Sequence, residues 1–113
     1  MINSVMTGGD NVSARNGISV TDQLEPHNWS NEETAAYEAA IEAVNGAVGA
    51  YSALIAAEEA KSVPNAAVLV AAREEQSRLA RERGELRSAD RAQIAEARRR
   101  YAALAREVVA RIA

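Results

Sequence analysis

The sequence contains no cysteine and no phenylalanine, and only one tryptophan, one histidine and two prolines. Without cysteine, disulfides, thiol nucleophiles and thiolate-held zinc are excluded. The single histidine, His27, has no second histidine or Glu-x-x-His spacing beside it. That removes the usual histidine-based zinc and di-iron ligand sets and leaves a Ser-His-acid triad without placed partners. Neither G-x-x-x-x-G-K-[ST] nor G-x-G-x-x-G occurs, so the common phosphate-cradling loops are missing as well. Glu38 and Glu42 stand one helical turn apart, where two carboxylates can do acid–base work if their pKa values separate. Charge runs at this spacing are more simply a solvated face or partners for arginines. The expectation is a protein that is not an enzyme, with no cofactor and no metal.

At 113 residues the chain has room for one domain. Its hydrophobic share is 48%, much of it alanine, which favours helix strongly and contributes little buried area. Helices that pack closely around a thin core are expected. The net charge of -3 hides an asymmetry. Residues 1–60 carry one base, Arg15, against nine acids, whereas residues 61–113 carry twelve bases against seven acids. Met1–Gly9 has neither a basic start nor an apolar run, which argues against a secretory signal. The longest uncharged stretch of the helical part, residues 43–57, falls short of the ~20 apolar residues a span requires. A cytoplasmic protein with no membrane association is the expectation.

Residues 1–28 are rich in Asn, Ser, Thr, Gly and Asp and predict a flexible or partner-ordered N-terminal arm. Ile18-Ser19-Val20-Thr21 alternates like a strand but has no evident partner. Residues 29–113 predict a helical domain. Ser30-Asn31-Glu32-Glu33 matches the S-x-x-E capping box and predicts a helix over about 31–61. Tyr37, Ile41, Val44, Val48, Tyr51 and Ile55 recur in steps of four and three, a heptad seam. Gly46 and Gly49 within it cost roughly 1 kcal/mol each relative to alanine, which predicts a neighbouring helix backbone approaching closely there.

Ser62-Val63-Pro64-Asn65 separates this helix from a second over about 65–86, whose best seam is Leu69, Ala72, Gln76, Leu79, Arg83 and Leu86. Either Ser88, or Asp90 with Gln93, caps a third helix over about 89–112, carrying Ile94, Ala97, Tyr101, Leu104, Val108 and Ile112. A break there gives an all-α antiparallel three-helix bundle. Without it, residues 65–112 form a rod of about 70 Å in a long helical hairpin. The chain shares size, cysteine lack and alanine richness with the small helical hairpins of the WXG type, but their Trp-x-Gly lies in the interhelical turn. Here Trp29 precedes the first helix.

Arginines crowd the second half, with Arg98, Arg99 and Arg100 as a candidate charged interaction face. A basic stripe is the footprint of a nucleic-acid binder, and that is the alternative reading. Interleaved acids and a sequence pI near 5.2 argue against it. Glu74–Arg78 and Glu107–Arg111 are spaced to pair within their helices, and Glu38, Glu42, Glu58 and Glu59 to face arginines of the second half. A thin core with regular heptads suggests further burial against another chain. The expected function is a non-catalytic helical protein–protein interaction module, of adaptor, assembly, antitoxin or immunity type, with a protein partner or a homo-oligomer.

Overall fold

A computed structural model describes the backbone of residues 21–112 and the side chains of residues 31–112, and every regular element among them is helical. Helix α1 spans Thr21–Glu59, α2 Ala66–Gly84 and α3 Arg91–Ala110. The core described below belongs to a compact unit over residues 33–113. The expected arm over residues 1–20, with the candidate strand residues 18–20, lies outside the described residues.

Two sequence expectations about α1 are corrected. Ser30 lies inside the helix and does not start it. A capping box requires a non-helical backbone at its serine, and it is needed only where the following N–H groups have no carbonyl one turn earlier. Residues 21–29 are themselves helical and supply those carbonyls. Gly46 and Gly49 lie in an unbroken helix, but no neighbouring backbone crowds them: a Cβ added at either would meet nothing within 4 Å. Both are exposed. Gly49→Ala is therefore expected to stabilise the protein by about 1 kcal/mol, through helix propensity alone. Thermal melts followed by circular dichroism check this, and an unchanged or lowered Tm would show that position 49 has a requirement the chain's own packing does not reveal.

The first turn is built by the end of one helix and the start of the next. Pro64 ends the possibility of a continuous ladder. Asn65 then caps α2, its side chain accepting from the backbone N–H groups of Ala67 and Val68. Glu58, only 5% exposed, accepts from the Asn65 N–H at 2.9 Å and from Lys61 Nζ at 2.9 Å. These two donors hold its carboxyl below the ordinary carboxylate range, the Asn65 bond foremost. The second break is also real. Of the two proposed caps it is Asp90 that acts, accepting from Gln93 N–H at 3.0 Å. The Gln93 side chain reaches back to accept from Arg87 N–H and to donate to the Glu85 carbonyl. The single-rod alternative is thereby excluded.

The core gathers Ala40, Val44, Ala47, Ala50, Tyr51 and Leu54 of α1 with Ala72 and Leu79 of α2 and Ile94, Ala97, Tyr101 and Val108 of α3. On α1 the fully buried line thus runs 40, 44, 47, 51, 54. The expected line shares only Val44 and Tyr51 with it. Tyr37, Val48 and Ile55 are half-buried against its edge, and Ile41 is half-buried beyond the core. The polar members of the α2 seam have a direct explanation. Gln76 donates to the Val48 carbonyl at 3.0 Å and to Ser52 Oγ at 2.8 Å, and the Arg83 guanidinium donates to Asn45 Oδ1. With Arg73–Glu59 at 2.9 Å, the partners on α1 fall in number as those on α2 rise.

Candidate interaction surface

Helices α2 and α3 are joined by a polar cluster centred on Glu82. The Tyr101 hydroxyl donates to Glu82 Oε1, Arg100 reaches the same oxygen at 2.9 Å, and Arg78 reaches Oε2 at 2.6 Å. Arg78 also holds Glu75. The Arg100 guanidinium lies 4.7 Å from the centre of the Tyr101 ring, in cation–π range. Tyr101 belongs to the core line of α3 and is buried with it, while its hydroxyl reaches Glu82 on α2. The hydrogen bond from that hydroxyl, then the bond from Arg78 and the charges of Arg78 and Arg100, hold the Glu82 carboxyl below its ordinary value, against the opposing effect of burial. Burial foremost, then the bond to Glu82, raises the Tyr101 phenol above 10.0, so it stays protonated and donates. A cavity of about 300 Å³ beside the cluster is lined by Glu85, Leu86, Gln93 and Glu96 as well.

This cluster makes stability depend on acid. A carboxylate whose pKa is lowered on folding contributes stability above its unfolded value, near 4.5, and loses it as pH falls through the folded value. Glu58 acts in the same window. Glu82→Gln is expected to melt earlier than wild type at pH 7, with the gap closing as pH is lowered below 4.5. Urea midpoints measured across that range test it, and a gap independent of pH would remove the ionised carboxylate from the account.

The three arginines expected to form one face do not. Arg100 is turned to α2 and committed to Glu82 and Tyr101. Arg99 pairs with Glu96 in its own helix, and Arg98 makes no ion pair among the described residues. Arg98 and Arg99 share a groove of about 620 Å³ between α1 and α3 with Ala39, Ala43, Ala95 and Ala102, and Glu42 lies on its α1 side. A second groove, about 660 Å³, runs between α1 and α2, lined by Tyr37, Ile41, Ala80 and Gly84 with Glu38, Glu42 and Arg83. Glu42 therefore stands on a ridge of α1 between the two grooves.

Other expected pairings are replaced. Arg78 takes Glu75 and Glu82 in place of Glu74, and no ion pair joins Glu107 to Arg111 among the described residues. Of the four α1 acids, Glu59 meets an arginine of the second half, Glu58 closes its own turn, and Glu38 and Glu42 meet none among the described residues. Of the remaining seam residues, Tyr51, Ile94 and Val108 are buried, and Leu104 is half-buried against the core.

Sequence reasoning passed over Glu58 and Glu82 as anchoring groups. The signal for Glu58 was present, because an acid in the last turn of a helix opposes the helix dipole and requires some other partner. Glu82 carried no signal for its bridge to α3: apart from Arg78, one turn before it, its partners Arg100 and Tyr101 lie eighteen and nineteen residues away. Among the described residues no group of three or more His, Asp or Glu side chains is placed to hold a metal ion. Comparison of the chain with family models, with curated proteins and with solved structures finds no match.

Proposed function

We propose that the chain is a non-catalytic helical interaction module, an antiparallel three-helix bundle that presents the outward side of α1 to protein partners in the cytoplasm. The observation that carries this reading is the condition of Tyr37 and Ile41. Both are half-buried in an open apolar groove beside Ala80 and Gly84, with Glu38 and Glu42 at its side making no ion pair among the described residues. Apolar side chains half-covered by their own chain and rimmed by acidic side chains suit a partner helix with apolar and basic residues one turn apart. The falling and rising partner numbers of α1 and α2 support the antiparallel bundle. The engagement of Arg78 and Arg100 by acids disperses the basic stripe and argues against nucleic acid.

Helical residues Asn31–Glu59, 29 in number, contain an 18-residue window of mean hydropathy 1.3, and by length and composition alone could cross a membrane. The core helix of a bundle meets the same criterion. Burial of Val44, Tyr51 and Leu54 within the chain and exposure of Glu38, Glu42, Asn45 and Ser52 favour the core helix. The module is tested by Ile41→Glu, which charges the groove at a site outside the core cluster. Wild type is expected to retain a defined protein partner in affinity capture from its native extract, and Ile41→Glu to lose it with an unchanged thermal melt. Capture of the same proteins by both would place binding elsewhere on the chain, and no specific capture by wild type would remove this reading.

A further inference from the structure

The groove between α1 and α3 differs from the apolar one in a way that identifies its occupant. Its floor is small, made of Ala39, Ala43, Ala95 and Ala102. Its sides carry opposite charge, Glu42 on α1 and Arg98 on α3, and neither residue has an ion-pair partner within the described chain although both line the same groove. The helices behind those sides continue the contrast. The α1 residues 31–59 include six acids and no base, while α3 carries five arginines against two glutamates. One turn beyond Glu42 the α1 side continues with Gly46, exposed and with open space around its Cβ position. Further along α3, Ala105, Arg106, Val109 and Ala110 line a shallow apolar depression, and Val109 is 53% exposed.

A face with an acidic side and a basic side flanking a small-residue floor is complementary to itself. Rotating one copy by a half-turn about an axis running along the groove, between the two faces, brings the acidic side of each over the basic side of the other, the isologous arrangement of a two-fold dimer. Alanine and glycine floors let the two helix pairs approach closely and form a four-helix layer. We propose that two copies of this chain pair through the α1–α3 groove, Glu42 of each meeting the partner's Arg98. This extends the interaction-module reading by adding self-association on a groove distinct from the one Ile41 lines.

The test uses the full chain and the symmetry of the pairing. Light-scattering mass and sedimentation equilibrium are expected to give wild type twice the 12.0 kDa chain mass at low salt, with dissociation as salt rises. Glu42→Arg alone and Arg98→Glu alone each place like charges at both symmetric contacts, and each is expected to raise Kd at least roughly tenfold. Mixed in equal amounts, the two variants are expected to regain the two-chain mass, because every contact in the mixed dimer is again Arg against Glu. Gly46→Leu, at a position with open space in the single chain, is expected to keep the melt of the monomer and lose the dimer. A one-chain mass for wild type up to high concentration, two-chain mass in either single variant, or no recovery on mixing would overturn the proposal. A monomer that still captures its partner through the Ile41 groove would leave the module reading standing while removing this one.

Discussion

An aspartate in place of Val44 is expected to leave the helical unit without a cooperative melt at room temperature. Val44 is 0% exposed and sits between Ala40 and Ala47 on the line of α1 that faces both other helices. The new carboxyl would be surrounded by apolar side chains, and an ionised carboxylate buried without a partner costs several kcal/mol at least. Domains of this size hold only about 5–15 kcal/mol in total, and a core with so few large side chains belongs at the low end. Val48→Asp is the informative comparison. Val48 lies at the half-buried edge of the core, beside the Gln76 side chain that its carbonyl accepts from, and an edge carboxylate can reach water. The smaller loss should therefore fall at position 48. Urea unfolding of both variants by circular dichroism checks the order, and a Val44→Asp curve within about 1 kcal/mol of wild type would show the core assignment wrong.

The second large effect is expected at Leu79. It is 0% exposed and, with Ala72, is one of two residues that α2 buries fully in the core. Leu79→Ala removes the one large fully buried side chain that α2 contributes and leaves a cavity that helices fixed by polar contacts at Gln76 and Arg83 cannot readily close. The expected loss is about 2–5 kcal/mol. The m-value should stay near that of wild type, because the surface exposed on unfolding hardly changes. A loss under about 1 kcal/mol would mean that α2 is held mainly by its polar contacts.

Helix content and the two breaks were legible from local chemistry. Pro64 with Asn65, and Asp90 with Gln93, are signals that act over three or four residues, and both appear in the fold. Ser30 misled because a capping box is a local option that loses when the preceding chain is itself helical. The buried line of α1 was partly illegible for a different reason. Tyr37, Ile41, Val48 and Ile55 each carry more apolar area than Ala40 or Ala47, yet the smaller residues allow the closer approach and take the centre. Gln76 and Arg83 were legible as polar residues on a packing seam, but neither they nor Glu82 were legible as bridges. The partners they reach on other helices are 18 to 38 residues distant, and no periodicity within one helix encodes them.

Five of the twelve fully buried apolar residues, Ala40, Ala47, Ala50, Ala72 and Ala97, are alanines, so much of the helix surface inside the fold is smooth. Smooth ridges resist separation, but they offer little resistance to one helix sliding along another. Longitudinal register must then be fixed by the groups that reach across: Gln76 on the Val48 carbonyl, Arg83 on Asn45, Arg73 on Glu59. Their removal would be felt first as motion along the helix axis. A Gln76→Ala protein would keep its helix content and much of its melting temperature. Its amide resonances on α2 would broaden as the helix samples a second alignment, a turn away, on the microsecond-to-millisecond scale of such shifts.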